Sequence, residues 1–413
     1  MVDFPINDEQ ITHLWKVNAV KILGAYHRPD GGSVSENVIE RLKQHDHFFN
    51  KLLDGSLPLC VVDKLLRVCG IPRANFLART HSPEDLHEAM SWFDAQVDLV
   101  VTMICGIDMA YEKATDDIIQ LPNCMGGMGL RSMVELSQYA HKCVDDVKKQ
   151  SHLSKSIDNQ RLKRVQQHLT EGQRALLVGA TAPCAQRLLT DPQTFVSDDA
   201  FRTFYRQRLM CRVTPPECKC TCGSDASNEH INVCRHLILK VNNFGPNTVP
   251  KTQRHELVVD VVEEKSKMAG YTTRREPPSY NKDNRNRTDL MATKHILLKQ
   301  QMSTDVTCTY PAKASRSSQA SICQLDAALE KAKSKNAKWQ KWALERNVDF
   351  APFVVESTGG IPPCSRRWLN RMFADVTSLF TVSSLYDETV AAIASAVQEG
   401  NHLFFVAATG GLF

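Results

Sequence analysis

At 413 residues the chain is too long for one compact core and fits two or three domains. With 42% hydrophobic and 23% charged residues and only 19 Gly and 18 Pro, it reads as globular, which excludes disordered, collagen-like and fibrous classes. A formal charge of +4 does not by itself mark a nucleic-acid binder, so any basic surface has to be local.

The first thirty residues carry Asp3, Asp8, Glu9 and Lys16 without a continuous apolar run, which argues against a secretory signal. No later stretch approaches the roughly 18 apolar residues of a membrane span. An intracellular protein without a membrane partner is therefore expected. In a reducing compartment, the clustering of Cys218, Cys220 and Cys222 favours metal over disulfide.

Residues 1–215 read as mostly helical, with a short extended piece at 19–26. Ser82-Pro83-Glu84-Asp85 supplies an N-cap, a Pro at the first helical position and early acid, predicting a helix to about Ile104. Leu86, Met90, Phe93, Val97 and Val101 give it a core-facing stripe. The glycines of 121–130 predict a tight turn, since a phosphate-binding loop would need a preceding strand and a Lys-Ser/Thr ending. A helix over 132–148 follows, and polar, basic sequence from 148 to about 173 suggests exposed helix and a hinge. From Cys218 onward come a cysteine/histidine knot, a helix over 252–269, extended stretches at 272–276, 288–293 and 302–310, a long helix over 318–346 and a strand over 350–357. The order α-β-β-β-α-β implies a mixed sheet between helices.

Cys220-x-Cys222, His230 and Cys234 offer three thiolates and an imidazole with spacing that closes a tetrahedral site, for which zinc is the natural occupant. Gly223 lets the chain turn back, and His230 and Cys234 share a helical face. Cys218 and His236 are possible substitutes.

Asp289 and Asp305 lie on successive extended stretches and can share a divalent cation, as metal-assisted phosphodiester hydrolysis requires. A PD-(D/E)xK nuclease would place a lysine two residues after the second acid, where Thr307 stands. The next helix can supply it: Leu325, Ala328, Ala332, Lys335, Trp339 and Trp342 make one face, so Lys335 interrupts an apolar stripe and must snorkel out or meet carboxylates. Lys331, Lys333 and Lys341 read as solvated. Glu256 and Glu356 are possible accessory carboxylates. Basic residues bunch at Arg202, Arg206 and Arg208, at Arg274, Arg275, Arg285 and Arg287, and at Arg366, Arg367 and Arg371, as local phosphate contacts need.

Taken in order, 121–132 with its glycines, the Cys220-x-Cys222-Gly223…His230-x₃-Cys234 knot, Arg254-His255-Glu256, Arg287-x-Asp289-Leu290, Asp305-Val306-Thr307, Lys335-x₂-Lys338-Trp339 and the run 350–360 resemble the C-terminal half of non-LTR retrotransposon polyproteins. The resemblance implies a helical thumb-like region, a CCHC zinc knuckle and a restriction-like endonuclease that nicks target DNA so that its 3′ end primes reverse transcription. Residue by residue it implies Asp289 and Asp305 as ligands of Mg²⁺ or Mn²⁺, Arg287 as the basic residue before the first acid, and Lys335 with Lys338 as the catalytic helix lysines. Thr288 stands where the family usually has Pro, Trp339 where it usually has Tyr, and the acids are slightly far apart.

The expected architecture is α+β: an N-terminal all-α thumb-like region with the end of a palm over 1–150, a helical connector over 151–215, the knuckle over 216–240 and an α/β PD-(D/E)xK-like nuclease over 250–400. Asp116-Asp117, Asp145-Asp146 and Asp198-Asp199 lie in helical or polar contexts, not in a polymerase hairpin, so polymerase chemistry is not expected, and the chain reads as a piece of a longer polyprotein. Expected partners are target DNA and element RNA, with no small-molecule substrate and a nuclear site of action. The rival expectation is a catalytically dead or repurposed zinc-knuckle protein that only binds nucleic acid, its dead site marked by Thr288, Thr307 and Trp339.

Overall fold

The computed structural model describes residues 19–28, 30–106, 113–141, 147–239, 248–277, 287–294, 301–374, 376 and 382–410. Arg285 and the Asp145-Asp146 pair lie outside them. The chain divides into two compact units, one within Met1–Ala110 and Gly129–Lys163, the other within Tyr111–Met128 and Arg164–Phe413. This division is coarser than the four segments expected from sequence.

Among its described residues the first unit is helical apart from a hairpin of β1 (Val20–Ile22) and β2 (Ala25–His27), a small departure from an all-α region. Its helices are α1 (Ser35–Lys43), α2 (Asp46–Leu53), α3 (Leu59–Leu65), α4 (Pro72–Thr80) and α5 (Pro83–Cys105). The Ser82 hydroxyl accepts the Asp85 amide at 3.2 Å, and Gly106 ends α5 at φ +64°, where a side chain would be strained. Leu86, Met90, Phe93, Val97 and Val101 are all buried, and Phe93 meets Phe49 edge-on at 5.5 Å.

In the second unit, α6 (Lys113–Gln120) runs into the glycine turn. A Cβ on Gly127 would lie 2.1 Å from the Leu121 carbonyl oxygen and one on Gly126 2.5 Å from that of Leu177, so the turn is a packing device. The next helices are α7 (Met133–Ala140), which belongs to the first unit, α8 (Val147–His168), which belongs to the first unit up to Lys163, α9 (Glu171–Ala180), α10 (Arg187–Thr190), α11 (Asp198–Arg208) and α12 (Asn228–Val233). Arg206 and Arg208, expected in a basic cluster, are buried: Arg206 donates to the Val213 carbonyl at 2.6 Å, and Arg208 to those of Ala180 and Gly127 at 3.2 and 3.3 Å. They tie backbone together instead of meeting phosphate.

The expected α-β-β-β-α-β order is present as α13 (Pro250–Met268), β3 (Tyr271–Arg275), β4 (Leu290–Lys294), β5 (Gln301–Thr304), β6 (Val306–Thr309), α14 (Ser317–Ala320), α15 (Asp326–Arg346), β7 (Asp349–Phe350) and β8 (Phe353–Glu356). β4 pairs antiparallel with β3 and β5, while β5 pairs parallel with β7 and β6 with β8. The stretches expected as single strands over 302–310 and 350–357 are each interrupted. Both parallel ladders keep one register, and the break falls where Asp305 stands opposite Pro352, which has no N–H to donate. The ladder resumes as the Phe353 amide donates to the Asp305 carbonyl at 3.2 Å. The helix expected over 318–346 is also split, because Leu325 adopts φ +62° before α15.

Two further helices complete the unit, α16 (Pro363–Phe373) and α17 (Val382–Thr409). One face of the sheet buries Leu290, Ala292, Met302, Val306, Phe353 and Val355 against α13, α16 and α17. The other face lies under α15, where Val354 meets Ala328 and Ala332. Asp305, one residue from inward-facing Val306, is thereby aimed at α15. Among the described residues no helix is long and apolar enough to cross a membrane.

Candidate active site and metal centre

The Cys/His module is built by a short hairpin and a short helix. The Gly223 amide donates to the Cys220 carbonyl at 2.7 Å, with Gly223 at φ +90°, and this turn folds Cys222 back beside Cys220. Ser227 caps α12, which carries His230 on its first turn and Cys234 at its end. Cys222 Sγ lies 3.2 Å from His230 Nε2, and Cys220 Sγ lies 3.8 Å from Cys234 Sγ. One ligand atom from each of the four lies within 4.8 Å of the others, so the set Cys220, Cys222, His230 and Cys234 can bind zinc, and Cys218 and His236 are not part of it. Cys220 is buried with Val213, Ala226, Ile231 and the α17 residues Phe404 and Phe405. The module thus has its own apolar backing.

The acid site gathers residues from α13, the start of β4, the β5–β6 junction and α15. Asp289 is anchored through its Oδ2, which accepts the Val306 amide at 2.6 Å, and through its own amide, which donates to the Thr304 carbonyl at 3.1 Å. Asp305 Oδ1 pairs with Lys335 Nζ at 2.8 Å, and Asp305 Oδ2 accepts the Trp339 indole N–H at 2.5 Å. Lys335 and Trp339 are one helical turn apart, so one face of α15 delivers both. His255 Nε2 lies 3.5 Å from Asp289 Oδ1 and 3.9 Å from Glu256 Oε1.

The electrostatics divide the acid pair. Burial pushes Asp305 up, the adjacent Asp289 carboxylate adds to this, and Lys335 offsets only part. Burial acts the same way on Asp289, but the His255 hydrogen bond and the Val306 amide outweigh it and hold this carboxyl below the usual range. His255 is held up in turn: burial favours its neutral form, but the hydrogen bond to Asp289 and the Asp289 charge prevail. The arrangement favours a charged Asp289–His255 pair beside an Asp305 that keeps its proton more readily than an ordinary aspartate.

The remaining expected residues stand apart. Lys338 is exposed, with its Nζ 4.5 Å from the centre of the Trp339 ring. Arg287 lies 3.8 Å from Glu276 and is half exposed. Glu256 alone among them borders the site, 3.9 Å from His255, and is half exposed with Arg275 at 3.4 Å. Glu356 is buried under the opposite end of α15, where its Oε1 accepts the Ala328 amide at 3.3 Å. Ala328 precedes Lys335 by seven residues, about 10 Å of helix, which removes Glu356 from the acid site. Burial pushes the Glu356 carboxyl up to about 7. Lys331, Lys333 and Lys341 are exposed.

Two site residues carried no role in the sequence reading. Trp339 was legible in principle, since it follows Lys335 by four residues and a buried indole N–H needs an acceptor. His255 stood in the sequence only within the Arg254-His255-Glu256 run, without a role, because only the fold brings the first turns of α13 against the residue before β4.

No family model matches the chain. Over 391 residues, 93% of its length, the chain is 31% identical to the retrotransposable element SLACS 132 kDa protein of Trypanosoma brucei gambiense. The chain spans about a third, 32%, of that protein's length. Similarity along nearly the whole chain supports an origin in a retrotransposable element.

Proposed function

We propose that this chain serves retrotransposition by binding target DNA and element RNA in the nucleus and nicking the DNA through divalent-metal-dependent phosphodiester hydrolysis, leaving a 3′ end to prime reverse transcription. In this reading 250–400 is a PD-(D/E)xK-like nuclease, the Cys/His module a zinc knuckle and the first unit thumb-like. The observation that carries the reading is the convergence of Asp289, Asp305 and Lys335 from separate elements on one side of the sheet.

The residues fit a hard cation. Two carboxylates interact directly, and burial with mutual repulsion disfavours the charged form of Asp305, so a divalent ion would supply the positive charge that Lys335 only partly provides. Among the described residues, Cys220, Cys222, His230 and Cys234 are the only such ligand group of three or more, so the acid site would hold Mg²⁺ or Mn²⁺ through Asp289 and Asp305, with oxygens of water and substrate completing the shell. Such an ion activates water and neutralises charge at the leaving oxygen. Lys335 stands where its ammonium can turn from Asp305 to a phosphate oxygen, Trp339 orients Asp305, and His255 keeps Asp289 ionised.

A nicking assay on duplex DNA with Mg²⁺ or Mn²⁺, comparing the intact chain with Asp289→Ala and Asp305→Ala, tests this. Cleavage that both substitutions abolish supports it; absent cleavage, or cleavage that survives both, overturns it. One observation favours a binding-only protein: both Asp305 oxygens are already engaged, by Lys335 and by Trp339. Salt-sensitive DNA binding without nicking is the result that reading requires.

A further inference from the structure

A concavity lies in the 164–410 part of the chain, lined by none of the acid-site residues. It measures about 250 Å³ and opens between α9, α11, the start of α12 and the residues after β6 and β8. Its apolar walls are Leu176, Phe204 and Met210. Gln207 and Tyr310 are among its polar lining residues. Arg208, Arg212 and Glu229 also reach it, so the lining carries both signs of charge and is not an anion cage. Arg208 is engaged with two backbone carbonyls and Arg212 with Asp225 at 2.7 Å.

Two independent features mark the cavity as built for a ligand. Tyr310 is 3% exposed and its buried hydroxyl has no hydrogen-bond partner, a deficit that native interiors rarely leave. Met210 occupies the left-handed position that ends α11, at φ +59°, with the Cys211 amide donating to the Arg206 carbonyl at 2.8 Å. Glycine is the usual residue there, and a side chain costs about 1 kcal/mol. That cost is borne at a residue whose side chain forms one of the apolar cavity walls.

We propose that this cavity receives one unstacked nucleobase of a single-stranded nucleic acid that passes over the Cys/His module. A base has flat apolar faces for Leu176, Phe204 and Met210 and a donor-and-acceptor edge for Gln207, Tyr310 and Glu229. The volume lies just under the ~300–1,000 Å³ of drug-sized sites, which suits a base whose sugar and phosphate stay outside. The cavity also borders Ser227 and Asn228, at the start of the helix that carries His230. The inference rests on the nucleic-acid-binding part of the proposed function and is independent of nicking.

The test uses the full chain with a single-stranded oligonucleotide carrying one internal 2-aminopurine and a terminal anisotropy label, beside free 2-aminopurine riboside. The wild type should change the base fluorescence on binding. Gln207→Leu and Tyr310→Phe should each weaken that response about three- to tenfold. Met210→Gly, which relieves the backbone while removing a wall, should weaken it with melting temperature unchanged or raised. A response with the strand alone assigns a base within a chain; a response with the riboside as well still supports a base cavity and admits mononucleotides. Anisotropy showing strand binding while the fluorescence ignores all three variants overturns the cavity proposal and leaves nucleic-acid binding standing. Failure of both strand and riboside to bind overturns both.

Discussion

The Cys/His module and the acid–lysine site reach comparable chemical specificity by opposite routes. In the module, four ligands fall within fifteen residues, a glycine turn and one capped helical turn bring them together, and an apolar cluster backs them. In the acid site, the contributors run from His255 to Trp339 and come from four separate places: α13, the residue before β4, the β5–β6 junction and α15. A closed set of thiolates and imidazole suits a structural ion, whereas two carboxylates with a lysine and a solvent-facing side suit an exchangeable one. The comparison teaches that local spacing is enough for the first kind of site, while the second exists only when the sheet is formed.

The largest effect expected from breaking the comparison is at the module. Cys220→Ser, or a strong chelator, should release one zinc per chain and destabilise the surrounding cluster by several kcal/mol, since a structural site couples binding to folding. Metal content and protease resistance within 213–239 would show it. If neither changes, the ligands are ordinary buried thiols.

At the acid site the fold should survive and activity should not. Asp305→Asn is expected to lower nicking by about 10³-fold or more while leaving the thermal transition nearly in place, the contrast that separates an exchangeable ion from a structural one. Measuring both quantities on one preparation decides it.

Next in size is the lysine comparison along α15. Lys335→Met should cost about 10²-fold in nicking, and Lys338→Met less than about threefold, because only Lys335 reaches Asp305. Equal losses would break the assignment of one helix face to the site.

The smallest effect concerns the other buried carboxyl beneath α15. Glu356 sits at about 7, above an ordinary Glu at 4.5, so the fold favours its protonated form. Its contribution is fully present below pH 4.5 and is lost as pH rises through about 7. Glu356→Gln should therefore match the wild type near pH 4.5 and exceed its stability at pH 8 by about 1–3 kcal/mol in urea titrations. It should leave nicking unchanged, whereas a role in the acid site would make nicking fall.

The N-cap of α5, its buried stripe, the α-β-β-β-α-β order, the four ligands and the Lys335 face were readable because each depends on contacts a few residues apart or on one periodicity. The interruptions at Asp305 and Pro352 and the break before α15 were not, because pattern alone does not show which residue a strand will face across the sheet. Arg206 and Arg208 illustrate the limit from the other side: charge in sequence suggested phosphate contacts, and burial assigned both guanidinium groups to backbone carbonyls.

Sequence by itself therefore determined which side chains were candidates: a four-ligand set that can bind zinc, two acids at strand ends and a lysine set in an apolar stripe. Tertiary structure decided membership. It admitted His255 and Trp339, set Glu356 two helical turns away and left Lys338 in solvent. The physical reason is that composition and period set what a side chain can do, while register, helix packing and burial set which charges share a low-dielectric space.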